Sequence, residues 1–139
     1  MPLAPLTNRV DTISYLDDTR GVIEIVVTDE FKGWYEALSI DEQEPVFRVV
    51  TLLEELGTTL GFPYTSSVRG SAYPLRELRV QHRGKPYRVF YAFDPERQAV
   101  LLLGGDKSGK DRFYEEHVPK AEALWEQYLR ERTAGKTKE

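Results

Sequence analysis

The chain has 139 residues, 40% of them apolar, with no cysteine, two histidines and a formal net charge of −4. That length suits one domain. The missing thiols exclude disulfides, iron–sulfur clusters and cysteine chemistry, and His82 and His117, far apart in sequence, do not suggest a metal site. Charge is uneven along the chain: residues 1–65 carry net −8, residues 66–112 net +5 and residues 113–139 net −1. Phosphate binding depends on a local patch, so an acidic total does not exclude it.

Residues 1–20 hold prolines and polar residues without periodicity and read as an N-terminal extension. They lack the charged-then-apolar pattern of a signal peptide, and no run reaches the roughly 18 apolar residues of a membrane span. The expectation is a soluble cytoplasmic protein with no membrane contact. VIEIVVT, residues 22–28, is β-branched and predicts a strand. Residues 31–38 predict a short helix, with Phe31, Trp34, Tyr35 and Leu38 on one face. A second helix follows, capped by Ser39 or, better, by Asp41, which would place Pro45 at the fourth helical position, where no backbone N–H is owed. Its stripe is Val46, Val49, Val50, Leu53 and Leu56, and Gly57 stops it. The two helices are expected to form a hairpin.

Residues 57–74 are rich in Gly, Ser and Pro and read as a loop. Three strands then follow closely at 75–83, 87–94 and 99–105, the last apolar throughout, as a strand buried on both faces would be. Residues 112–132 read as helical, broken by Pro119, with a stripe of Ala121, Leu124, Trp125, Tyr128 and Leu129. Residues 133–139 read as a flexible tail. The element order predicts an α+β domain over residues 21–132: a mostly antiparallel four-stranded sheet with helices on one face.

LLLGGDKSGKDRFY, residues 101–114, has the G-x-x-x-x-G-K spacing of a phosphate-binding loop. The position after Lys110 is Asp111, not the Ser or Thr that would hold magnesium, and the strands before it look hairpin-linked. A nucleotide site is disfavoured. A flexible connection, or a loop that offers Lys107 and Lys110 to a phosphodiester, fits better.

The basic residues gather on the strand pair 75–83 and 87–94. With a two-residue turn at Gly84-Lys85, alternation puts Arg79, Gln81, Arg83 and Arg88 on one face and Leu78, Val80, His82, Tyr87, Val89, Tyr91 and Phe93 on the other. A one-residue change in loop length would bring Tyr91 beside Arg79. The bland reading is a solvated face that keeps the sheet soluble. The functional reading is an RNA surface. There cations neutralise a phosphorane-like transition state, Tyr or Lys moves a proton, and the RNA supplies its own 2′-OH, so no metal or cofactor is required. Aromatic rings such as Tyr87, Tyr91 and Phe93 either stack on bases or fill the core.

These same residues resemble a known family. Glu77-Leu78-Arg79, Tyr87-Arg88, Tyr91-Ala92-Phe93-Asp94 and Leu101-Leu102-x-Gly104-Gly105-x-Lys107 follow the pattern ELR…YR..YAFD…LL.GG.K of the RelE/ParE toxin superfamily, in its phage-derived HigB-type branch. The resemblance spans residues 68–130, extends over 22–60 and leaves out 1–20. It implies a RelE-like fold: N-terminal strand, helical hairpin, antiparallel sheet and C-terminal helix. It implies the toxin of a type II toxin–antitoxin system, most often a metal-independent, ribosome-dependent mRNA endonuclease that inhibits translation. The implied partners are mRNA, the ribosome and a cognate antitoxin, often a helix-turn-helix protein. By position it implies catalytic roles for Arg88, Lys107 and Tyr114, with Tyr91 as a second candidate for the aromatic role. Arg79, His82, Arg83, Lys85, Lys110 and Arg112 complete the expected RNA-binding surface. ParE-like relatives instead act on DNA gyrase without nuclease residues, so a non-enzymatic, protein-directed toxin is the alternative.

Overall fold

The computed structural model describes residues 22–138. The expected extension at 1–20 lies outside the described residues. The elements are β1 (Ile25–Val27), α1 (Asp29–Ala37), α2 (Ile40–Leu56), a 3-10 turn (Gly57–Thr59), β2 (Thr65–Ser67), β3 (Arg76–His82), β4 (Lys85–Phe93), β5 (Ala99–Asp106) and α3 (Phe113–Lys138).

Local chemistry accounts for the helix starts. Thr28 caps α1: its Oγ1 accepts the Phe31 N–H at 3.0 Å and donates to the Leu102 carbonyl at 2.7 Å, so the cap also ties α1 to β5. Ser39, not Asp41, caps α2. Its hydroxyl accepts the Glu42 N–H at 3.2 Å while Glu42 Oε1 accepts the Ser39 N–H at 3.0 Å. This reciprocal box satisfies two orphan donors, which a lone Asp41 could not do. Pro45 therefore falls deeper in the helix than the sequence reading put it, and it is buried there. Pro119 does not break α3, which runs through it from Phe113 to Lys138, beyond the boundary expected at residue 132. The proline lies in the second turn, and Phe113, Ala121 and Trp125 on either side of it are buried.

The fold is α+β, but the sheet has five strands and is mixed, in the order β1-β5-β4-β3-β2. Three of the four pairings are antiparallel, as expected, but the four-stranded expectation is refined in two ways. The segment read as loop contains β2, which pairs antiparallel with β3. β1 pairs parallel with β5, with Ile25 opposite Ala99. The β3–β4 turn is centred on Arg83-Gly84, one residue earlier than expected, with φ values of 52° and 79°. Two positive φ angles make the tight two-residue turn whose twist matches the strands. Arg79 consequently faces Arg88 rather than Phe90. The register moves by two residues, an even number, so the side chains within the strands keep their predicted faces, while Arg83 moves into the turn and leaves the face of Arg79.

Helices cover both faces, not one. On the first, α1 and α2 bury Phe31, Tyr35, Val46, Val50 and Leu53 against Leu78, Val80, Tyr87, Val89, Tyr91 and Leu101. On the second, Phe113, Ala121 and Trp125 of α3 cover Phe90, Ala92, Val100 and Leu102. A fully buried side chain of this size contributes about 1.5–3 kcal/mol, which explains why α3 cannot stand away from the sheet. The glycine pair of β5 lets both layers close: a Cβ on Gly104 would collide with the Trp34 ring, and one on Gly105 would sit 2.8 Å from His117 Nε2 and 2.9 Å from the Phe113 ring. Those glycines serve packing, not a phosphate.

Candidate active site

Beyond the reach of the Phe113–Trp125 contact, the second sheet face carries charge. Glu77 and Arg79 are two apart on β3 and so share this face; Arg88 on β4 is directly opposite Arg79, and Ser66 on β2 is opposite Glu77. Two arginines directly opposed would repel. Glu77 offsets them: its Oε2 is 3.4 Å from Arg79 Nη1, and its Oε1 is 3.8 Å from Arg88 Nε. The Ser66 hydroxyl donates to Oε2 at 2.8 Å. The Tyr114 hydroxyl, from the first turn of α3, donates to Oε1 at 2.8 Å. Tyr114 is held edge-on against Phe90, with ring centroids 6.1 Å apart, and the Lys107 ammonium lies 5.7 Å from its ring centroid.

Arg88 is the unusual member. It is only 4% exposed. Its Nη1 donates to the Tyr87 carbonyl at 3.0 Å, but its buried Nε has no hydrogen-bond acceptor among the described residues. A buried guanidinium with spare donor capacity is costly unless something else takes it up. An anionic oxygen would do so. Burial first, and then the hydrogen bond to Glu77, push the Tyr114 phenol above its ordinary pKa, while Arg88 pulls part of the way back. At neutral pH Tyr114 therefore holds its proton and is a donor, not a base. Phe62, Ser66, Arg69, Glu77, Arg79 and Tyr114 line a cleft of about 580 Å³ that opens onto this cluster.

The structure thus brings Arg79, Arg88, Lys107 and Tyr114 together. It does not bring the remaining predicted residues there. Tyr91 lies on the opposite face, 1% exposed, its hydroxyl 2.7 Å from Thr65 Oγ1. Arg83 pairs with Asp41 of α2 at 2.8 Å, and His82 and Lys85 are opposite each other beside the hairpin turn. Lys85 and Lys110 act on Asp106, and Arg112 pairs with Glu115 at 3.6 Å. Tyr87 joins the first core. Sequence reasoning missed Glu77, Ser66 and Phe62. Glu77 stood in view two residues before Arg79, in the same alternating run, and alternation alone put it on the basic face. Among the described residues, no group of three or more His, Asp or Glu side chains is placed to hold a metal. No described helix is long and apolar enough to cross a membrane.

Residues 33–126 match the family model described as "Phage derived protein Gp49-like (DUF891)". The chain belongs to this family. It is 38% identical over 107 residues to a Mycobacterium tuberculosis protein named "Putative toxin HigB3", covering 76% of this chain and 92% of that protein. It is 35% identical over 104 residues to a second protein of that organism, named "Putative toxin HigB2", covering 73% of this chain and 52% of that protein. In the second case the match spans about half of the relative's length. No solved structure matches. The resemblance to the phage-derived HigB-type branch is therefore borne out, and the family match includes β3, β4, β5 and the first half of α3, which carry the cluster.

Proposed function

We infer that this chain is the toxin of a type II toxin–antitoxin pair and that its domain, residues 21–132, cuts messenger RNA on the ribosome in the cytoplasm. The observation that carries this reading is the Glu77–Tyr114–Arg88 cluster, in which a carboxylate and a protonated phenol line one open cleft and an incompletely bonded buried guanidinium lies beside the carboxylate. The curated relatives, named as HigB toxins, agree with it. The Glu77 carboxylate accepts the proton of a ribose 2′-OH. The 2′ oxygen attacks the adjacent phosphorus, and Arg88, Arg79 and Lys107 neutralise the charge that builds on the phosphoryl oxygens. The bond from phosphorus to the 5′ oxygen breaks, and that oxygen takes the proton of Tyr114. The products are a 2′,3′-cyclic phosphate and a free 5′-OH, and the proton held by Glu77 returns through solvent. A cognate antitoxin of helix-turn-helix type restrains the activity until it is removed.

The test is expression without the antitoxin, with mRNA 5′ ends mapped in wild type, Arg88→Ala and Tyr114→Phe. New ends in wild type that vanish in both variants are expected. Uncut transcripts alongside arrested growth would overturn the nuclease reading. The exposed acidic residues of α1 and α2, among them Asp29, Glu30, Glu36 and Glu44, favour one second reading, a toxin that grips a protein such as DNA gyrase. That reading predicts toxicity undiminished in Arg88→Ala and a DNA-damage response without RNA cleavage.

A further inference from the structure

Phe62 is an anomaly that neither the core nor the proposed chemistry uses. It is 76% exposed, the most exposed large apolar side chain among those described, and it forgoes nearly all the burial energy open to a phenyl ring. It is not placed at random. It lines the same cleft as Glu77 and Tyr114. The Arg79 guanidinium lies 5.3 Å from its ring centroid, so an arginine of the reactive cluster and this ring already contact each other. Arg69, exposed, lines the same cleft. The aromatic residues that the sequence offered for base stacking are elsewhere: Tyr87 and Tyr91 are each 1% exposed in the first core, and Phe93 packs against it. A solvent-facing ring beside cations, at the mouth of a cleft of roughly nucleotide size, is the arrangement used to hold unpaired bases.

We propose that Phe62 is the base-stacking residue of this site: it receives an unpaired base flanking the scissile phosphate, while Arg79 and Arg69 hold the backbone on either side. This deepens the nuclease reading and rests on the same cleft. It calls for single-stranded RNA and makes the platform tolerant of sequence, because every base offers a π face. A protein partner would demand a broader apolar patch than one ring. The other exposed aromatic of the loop, Tyr64, lines a second groove toward α2, which Arg79 and Arg88 also line but Glu77 and Tyr114 do not.

The experiment uses the full chain as wild type, Phe62→Ala and Phe62→Trp, with a single-stranded oligoribonucleotide that carries 2-aminopurine and 2′-O-methyl groups. The methyl groups block cleavage, so binding is read alone. Wild type and Phe62→Trp should quench the 2-aminopurine fluorescence. Phe62→Ala should lose the quench and bind roughly tenfold more weakly, with an unchanged melting temperature because the ring is exposed. Cutting of translated mRNA should fall by a similar factor in Phe62→Ala and recover in Phe62→Trp. Equal quenching by wild type and Phe62→Ala, or no quenching by wild type, overturns the proposal. Loss of the complex with the cognate antitoxin in Phe62→Ala, with quenching intact, also overturns it and assigns the ring to a protein interface. Quenching without any cleavage supports Phe62 and sinks only the nuclease.

Discussion

Two buried carboxylates in this molecule look alike on paper and behave differently. Glu77 and Asp94 are each 4% exposed, each accepts a tyrosine hydroxyl from α3, and each lies within 4 Å of an arginine. Asp94 is saturated by its own turn. Its Oδ1 takes the N–H groups of Glu96 and Gln98, and its Oδ2 takes Tyr128 at 2.8 Å, with Arg132 3.7 Å away. Everything it binds belongs to the fold, and it anchors the β4–β5 turn to the later part of α3. Arg132 Nη2 beside Asp94 and Arg88 Nε beside Glu77 are both buried without a hydrogen-bond acceptor among the described residues, but Glu77 is bonded to side chains rather than to a turn of backbone and borders an open cleft. Burial, charge pairing and a spare donor alone do not mark a site; a carboxylate held by side chains at the edge of an open cleft does.

Substitution should separate the two. Asp94→Ala is expected to lose about 3 kcal/mol of stability, because it strips partners from a buried network. Glu77→Gln keeps the shape but leaves one acceptor oxygen where Tyr114 and Ser66 used two, and removes the charge beside Arg88, so it should lose about 1–2 kcal/mol; chemical denaturation measures both. If Glu77→Gln proves the costlier change, the contrast collapses. Arg88→Ala is expected to lower the proposed mRNA cleavage at least about 100-fold, equivalent to about 2.7 kcal/mol. Arg132→Ala should leave cleavage per folded molecule unchanged, a comparison made by primer extension on the same transcript. The tyrosines should divide likewise: Tyr128→Phe costs about 1 kcal/mol of stability, and Tyr114→Phe mainly loses cleavage.

The smallest effect is in alkaline solution. Burial, followed by the bond to Asp94, raises the Tyr128 phenol, as burial and Glu42 raise Tyr87. A raised folded-state pKa favours the protonated form. That stabilisation is complete below the ordinary phenol value of about 10 and is lost as pH rises above it. The melting temperature should therefore fall above pH ~10, and Tyr128→Phe should flatten the decline. Tyr114→Phe should flatten it less, because Arg88 opposes the shift there.

Much of this was legible before any coordinates. The alternation of β3 and β4 put Arg79 and Arg88 on one face, and the two-residue slip in register left both of them there. Arg88, Lys107 and Tyr114 came from the family pattern. Glu77 did not emerge, because an acid among arginines reads as an ordinary surface counter-charge until its burial is known. Phe62 and Ser66 lie in a Gly/Ser/Pro-rich stretch with no periodicity to assign them a side. The parallel pairing of β1 with β5 joins Ile25 to Ala99 across most of the domain, and no local signal encodes so distant a partner. The stripe on α3 was visible, but not which sheet face it would cover.

The glycine pair of β5 has a mechanical consequence. At Gly104–Gly105 the Trp34 layer and the Phe113–His117 layer are held apart by a single bare backbone, so the strand works there as a thin diaphragm. A displacement on the α1 side would meet no β5 side chain there before reaching the first turns of α3, which carry Phe113, Tyr114 and His117. Whatever grips α1 from outside would thereby have a handle on the spacing between the Tyr114 ring and the Lys107 ammonium, without ever entering the cleft.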